Sequence, residues 1–261
     1  MKNKKPYLAF IPISLFLVLW ELAAGFKLIK PSLFPPPSKI ISKLVALSAD
    51  GLPVSSTLGA HIAATLERLA VAFIIGSVIG ILVGLFMGLN KPAFKFFNPL
   101  ISVLMPIPGI ALAPIFIIWF GFGDATIIPL GALSAFFPMV YSTISGVRSI
   151  DRKLVNAAEI MGANRRKIIL SVYLPWAASY VFNGTKLGLA RAWMTVVAVE
   201  FIAATNWGLG YMIWNATEYL RSDTVYVGIL VLIIIYFLLE KLFINTIEKR
   251  TIVRWGMVGD L

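Results

Sequence analysis

Val225-Tyr226-Val227-Gly228-Ile229-Leu230-Val231-Leu232-Ile233-Ile234-Ile235-Tyr236-Phe237-Leu238-Leu239 runs without a charge or a proline. A bilayer core of ~30 Å takes about 20 mostly apolar residues as helix, and with its flanks this stretch reads as a span over 225–246. Outward from it, five more stretches qualify or nearly do: 7–26, 66–89, 98–119, 126–146 and 176–203. The composition agrees, with 59% hydrophobic and 13% charged residues, against ~45–50% and ~25% in ordinary soluble domains. An apolar surplus of that size exceeds what one water-bounded core can hide, so the expected class is an all-α membrane protein with the lipid bilayer as solvent. No loop between the spans approaches the ~50 residues of a small soluble domain, and residues 1–261 read as one transmembrane domain.

Six spans put both termini on one side, and lysine and arginine decide which. Of the 23, fifteen fall on one face: Lys2, Lys4 and Lys5, then Lys91 and Lys95, six within 147–175, and Lys241, Lys249, Arg250 and Arg254. The other face carries Lys27, Lys30, Lys39, Lys43 and Arg221, while Arg68, Lys186 and Arg191 lie in or beside spans. Both termini are expected in the cytoplasm. The three leading lysines resemble a signal-peptide n-region, but the apolar stretch after them is long and no A-x-A site follows, so the first span reads as uncleaved. In the first outer loop Pro35, Pro36 and Pro37 break the chain, Ser38 is placed to cap, and Ile40, Ile41, Leu44, Val45 and Leu47 recur at helical spacing. That pattern predicts an interfacial helix.

The net charge of +11 does not mark a nucleic-acid binder, because the cations sit between apolar runs rather than on a basic polar face. With no cysteine and His61 as the one histidine, disulfide, thiolate and zinc-cluster chemistry are poor readings, and no metal site is expected. Neither a phosphate loop nor a G-x-S-x-G or H-E-x-x-H motif occurs. The chain is read as neither an enzyme nor an ATPase. His61 reads as a loop or interfacial residue without a role.

Three features within the spans stand out. Gly76, Gly80, Gly84 and Gly88 recur every four residues along one helix face, and small residues let backbones approach closely in lipid. Tight packing inside one protomer is the first reading, a dimer interface or moving seam the second. The run from Met105 to Pro114 holds Pro106, Pro108, Gly109 and Pro114, which a regular helix tolerates badly. The third span should therefore bend or break, and irregular backbone at membrane depth survives where it lines a cavity or is covered by protein. Pro106 and Pro108 are accordingly candidates for a pathway or gate. Lys186, Arg191 and Glu200 in the fifth span are ionisable at or near membrane depth, where charges are costly. Nine residues apart, Arg191 and Glu200 point to opposite sides of the helix. Lys186 or Arg191 could give an anion path its positive potential; pairing with another helix, or snorkelling, is the competing account.

The segment 147–175 is patterned rather than a plain connector. Asp151 is placed to cap one short helix, with Leu154, Ala158 and Met161 on one face and Gly162 ending it in a left-handed turn. Asn164 is placed to cap a second, carrying Arg165, Arg166 and Lys167, and Pro175 opens the fifth span. Within it Asn156-Ala157-Ala158, three residues, Gly162, nine residues, Val172, one residue and Leu174-Pro175 resemble the E-A-A-x3-G-x9-I-x-L-P loop of binding-protein-dependent ABC importer permeases. Asn156 stands at the motif glutamate and Val172 at its isoleucine; Glu159, three residues on, is the nearby carboxylate.

Further stretches carry the likeness along nearly the whole chain: LFPPP at 33–37, IWFGFG at 118–123, VEFIAAT at 199–205, GLGYM at 208–212 and DTVYVGI at 223–229. They look closest to the nitrate, sulfonate and taurine subgroup, above all to taurine and alkanesulfonate permeases. The resemblance implies a type I importer fold in a bacterial inner membrane, a homodimer, two cytoplasmic ATPase subunits that bind ATP and magnesium, and an extracytoplasmic solute-binding protein. No cofactor is implied for this chain. It further implies that Asn156, Ala157, Ala158, Glu159, Gly162, Leu174 and Pro175 belong to an ATPase-coupling loop, and that the solute is a small sulfonate such as taurine, with nitrate, bicarbonate or a vitamin precursor as alternatives. A self-sufficient channel or carrier would need buried coupling carboxylates or inverted repeats, and a membrane enzyme a catalytic constellation at depth.

Overall fold

The computed structural model describes residues 11–26, 30, 32–49 and 58–241. The expected cytoplasmic cations Lys2, Lys4, Lys5, Lys249, Arg250 and Arg254, together with Lys27 and with residues 7–10 of the first span and 242–246 of the last, lie outside them. Among the described residues the fold is helical, with no strand. In chain order the helices are α1 (Ile11–Gly25), α2 (Pro37–Ala49), α3 (Leu58–Leu89), α4 (Lys91–Leu104), α5 (Ala113–Phe120), α6 (Asp124–Arg148), α7 (Arg152–Ile160), α8 (Arg165–Ile168), α9 (Leu174–Ala203), α10 (Leu209–Glu218) and α11 (Ser222–Leu239).

Three of these, α3, α6 and α11, are long and apolar enough to cross a membrane. A fourth crossing is made if α4 and the segment Gly109–Phe120 count as one span; they are bent by 88° at the break between them. α1 is shorter, at 15 residues. α9 has the length, 30 residues, but carries Lys186, Arg191 and Glu200. The break falls within the expected run, at Met105–Pro108, and a 3-10 turn over Gly109–Leu112 leads into α5, whose first turn holds Pro114. Pro106 and Pro108 have no N–H to give the preceding turn, and the short turns that follow them replace the lost ladder.

The centre of the bundle is α6, held between α3 and α9. Gly76, Gly80, Gly84 and Gly88 of α3 all face it: a Cβ at Gly76 would collide with Ala132 O, and one at Gly80, Gly84 or Gly88 would stand 2.6, 2.6 or 2.7 Å from the Cβ of Met139, Thr143 or Val147. Within the protomer, then, the stripe is a helix-packing seam. On the other side, Gly184 of α9 meets Ser142, and Gly146 of α6 meets Ala177 and Tyr180. Small residues on both seams let three backbones approach closely, which in lipid supplies van der Waals contact where the hydrophobic effect gives none.

Several local expectations change. α3 begins at Leu58 rather than near 66, and His61 is a helical residue only 1% exposed, not a loop residue. The apolar pattern missed roughly the first two turns because tertiary hydrogen bonds, not lipid, cover them. The third span reaches back to Lys91, with the Asn90 side chain accepting from Ala93 N at 3.2 Å. Ser38 does not cap α2, which already starts at Pro37; its N–H and hydroxyl donate to Glu21 of α1 at 3.1 and 2.7 Å. Pro175 stands in the first turn of α9, as expected, but the helix before it does not stop. α8 passes into α9 through a π-helical turn at Ile169–Tyr173, where Leu174 N–H reaches back to Ile169 O. That wider turn accommodates a ring with no N–H to offer.

Candidate functional site

A cavity of about 490 Å³ opens at the broken span. One wall is the break itself, Met105 to Gly109, continued by Ile110 and Leu112. The others come from α6 (Leu133, Ser134, Phe137) and from α9, where Arg191, Met194, Thr195 and Ala198 make one helical stripe. Close packing at Gly109 brings the walls together: a Cβ there would stand 2.6 Å from Thr195 Cγ2 and 2.7 Å from Ser134 Oγ. Thr195 Oγ1 donates to Ser134 Oγ at 2.8 Å. Arg191 is the one charged side chain among the described lining residues; it is exposed and its Nη1 lies 3.4 Å from Met105 O. The chamber can thus receive a small anion with an apolar body, with a guanidinium fork for its oxygens and hydroxyls and break-region carbonyls for other polar atoms.

Pro106, Pro108 and Arg191 therefore come together, and the other two ionisable candidates do not join them. Lys186 is half-buried one turn away on α9, its Nζ 4.8 Å from the centre of the Phe182 ring. Glu200 is fully buried on another side of α9, in a polar hub that sequence reasoning did not foresee.

The hub assembles where α3 and α6 begin and α9 ends. His61, Thr65 and Arg68 occupy one face of α3 at intervals of four and three residues. Arg68 Nη1 donates to Glu200 Oε1 at 2.8 Å and to Trp207 O at 2.6 Å, and its Nε to Asp124 Oδ1 at 2.6 Å. Thr65 Oγ1 stands 3.0 Å from both Glu200 oxygens and accepts from Leu209 N at 2.8 Å. Gly210 N donates to Glu200 Oε2 at 2.9 Å, so the carboxylate also sits at the positive end of α10. His61 Nδ1 lies 2.9 Å from Gly208 O and 3.1 Å from Gly208 N. Gly208 has φ +142°, and a Cβ there would stand 2.6 Å from Glu200 Cδ; only glycine meets both demands. A sequence signal existed in Glu200, a carboxylate at membrane depth that needs a cation, and in Arg68, the one of the three cations in or beside spans to which no role is given.

In 147–175 the two short helices form as α7 and α8. Asp151 accepts from Lys153 N at 2.9 Å, Asn164 from Lys167 N at 2.9 Å, and Gly162 has φ +76°. The base of the loop is pinned by Trp176 Nε1 donating to Ser149 Oγ at 3.1 Å and by Arg148 lying 3.8 Å over the Phe94 ring. No residue of α7 is buried; Asn156, Ala157 and Glu159 are exposed, and Ala158, Leu174 and Pro175 half-buried. Ile160 and Met161 are 88% and 86% exposed.

The profile of the binding-protein-dependent transport system inner membrane component matches residues 76–251. This chain belongs to that family. Its members are permeases of ABC transport systems, and this permease is similar to the taurine transport system permease protein of Escherichia coli, 37% identical over 91% of this chain and 86% of that one. It is also similar to the putative aliphatic sulfonates transport permease protein of Bacillus subtilis, 28% identical over 93% and 85% of the two chains. The nitrate import permease protein of Synechococcus elongatus is 29% identical over 83% and 79%. The permease is thus a multi-pass inner-membrane component, and the nitrate, sulfonate and taurine subgroup read from the motifs is its subgroup. The matched segment takes in the cavity and the loop 147–175, while His61, Thr65 and Arg68 precede it.

Proposed function

We propose that this permease forms the translocation pathway of an ATP-driven importer for a small sulfonate such as taurine, entering through the cavity at the broken span. The observation that carries the reading is Arg191, the one cation among the described residues around an otherwise largely apolar chamber. Nitrate, bicarbonate or a vitamin precursor remains the alternative cargo within the same machine. The expected assembly is a homodimer of six-span protomers with both termini cytoplasmic, one binding protein outside and two ATPase subunits inside that supply ATP and magnesium. The exposed α7 face, with Ile160 and Met161 beyond its last turn, supports ATPase docking through Asn156, Ala157, Ala158, Glu159 and Gly162, with Leu174 and Pro175 joining the loop to α9. ATP-driven closure of the ATPases would draw the two loops together and turn the pathway outward, a two-state element biased from a distant site.

Mild-detergent purification from native membranes with mass spectrometry tests the class: a stoichiometric ATPase subunit is expected, and none after crosslinking at position 158 would overturn it. In proteoliposomes with the cognate partners, Arg191→Gln is expected to lower sulfonate uptake by about tenfold or more, as loss of a charge-assisted pair does, with Arg191→Lys recovering part. Unchanged uptake in Arg191→Gln would remove Arg191 from the pathway. Gly162→Pro loses the N–H that Gly162 gives to Glu159 O at 2.9 Å and the φ of +76°. It should leave the permease in the membrane while separating ATP hydrolysis from uptake; normal uptake by this variant would count against the coupling role.

A further inference from the structure

The hub holds one cation between two unlike carboxylates. Glu200 is fully buried, and its pair with Arg68 cannot part without stranding a charge out of water. Asp124 is 62% exposed in its side chain, and an ion pair with one partner in solvent is weak enough to break and remake. Asp124 is the first residue of α6, directly after the turn that ends α5. In that turn Gly121 and Gly123 have φ +80° and +97°, and a Cβ at either would find nothing within 4 Å. Besides the ion pair and the helix-end bonds of Gly121 N to Ile117 O and of Thr126 N and Ile127 N to Gly123 O, the turn is tied by Gly123 N donating to Ala203 O at 2.7 Å and Thr126 Oγ1 donating to Gly121 O at 2.6 Å. α5 in turn continues the 3-10 segment Gly109–Leu112 that walls the cavity, and this half-helix has a break at its other end too.

We infer that the Arg68–Asp124 pair is a releasable latch on the α5–α6 turn, anchored by Glu200, and that its opening lets α5 move and carry with it the Gly109–Leu112 segment that walls the cavity. Arg68 is a positioning residue in this scheme: it acts on the cavity through Asp124 and touches no solute. Glu200 and Trp207 O keep the guanidinium in place while the exposed partner leaves and returns, Glu200 being held in turn by Thr65 and Gly210 N. The inference uses the cavity as pathway, so it rests on the function proposed above, but its test reads access to the cavity without needing transport.

The chain has no cysteine, so Met194→Cys gives a single thiol in the cavity wall. In nanodiscs, its rate of modification by a small charged thiol reagent reports access. Adding Asp124→Asn is expected to raise that rate about two- to fivefold, the population change that loss of an exposed pair allows, and Asp124→Glu to restore it. In the Met194→Cys parent itself the rate should climb with salt toward ~1 M, where the Debye length is only ~3 Å; this arm needs no latch variant to fold. A rate unmoved by Asp124→Asn at equal thermal stability, or a flat salt profile, would overturn the latch. Responsive labelling without a co-purifying ATPase would leave the latch standing and remove the importer reading instead.

Discussion

Glu200→Ala is expected to unfold much of the population, at a cost of about 3–5 kcal/mol, because it leaves the buried Arg68 guanidinium facing an empty site. Glu200 takes hydrogen bonds from Arg68 and Gly210 N and sits 3.0 Å from Thr65 Oγ1, so its removal unties α3, α9 and α10 together. The measurement is the melting temperature and the monodisperse fraction in detergent. Asp124→Asn, by contrast, should shift stability by about 1 kcal/mol or less, since that carboxylate is largely in solvent. A double replacement, Arg68→Met with Glu200→Met, is expected to recover much of the loss, because an absent buried pair costs less than half of one. If Glu200→Ala melted like the parent, the hub would have no structural role.

The second large effect is expected along the α3–α6 seam. Gly76→Leu or Gly80→Leu forces a side chain into space already filled, by the Ala132 carbonyl in one case and by Met139 Cβ and Phe136 O at 2.6 and 2.9 Å in the other. Overpacking typically costs about 1–3 kcal/mol, and backbone neighbours cannot rotate aside, so the upper end or more is expected here. Folded yield and thermal stability should fall sharply for both. Gly25→Leu is the control, since nothing lies within 4 Å of a Cβ there, and it should be near neutral. Equal stability of Gly80→Leu and Gly25→Leu would mean that α3 and α6 are not held this closely.

These two sites divide the molecule into what is legible in one dimension and what is not. The glycine interval of four, the proline run and the caps Asp151 and Asn164 are local: each states a geometry within a turn or two of helix, and the structure contains each. The family, too, rests on a local pattern, the spacing from Asn156 to Pro175. Lys186, Arg191 and Glu200 illustrate the limit. Their sequence neighbourhood is nearly the same, yet one lies beside a phenylalanine ring, one in the cavity and one in the hub.

Composition and periodicity by themselves determined that this chain is helical and membrane-embedded, that its third span bends or breaks within the run Met105–Pro114, and that a patterned loop follows α6. Those properties follow from residues close in the chain, where apolar length, missing N–H groups and left-handed glycines act without distant partners. Only the tertiary structure decided that His61 is buried, that α3 starts a turn or more early, that Arg68 serves both Glu200 and Asp124, and that Arg191 faces Pro106 and Pro108 across a chamber. Such pairings join groups up to 147 residues apart, and a buried charge in lipid takes whichever partner the packed helices bring to it.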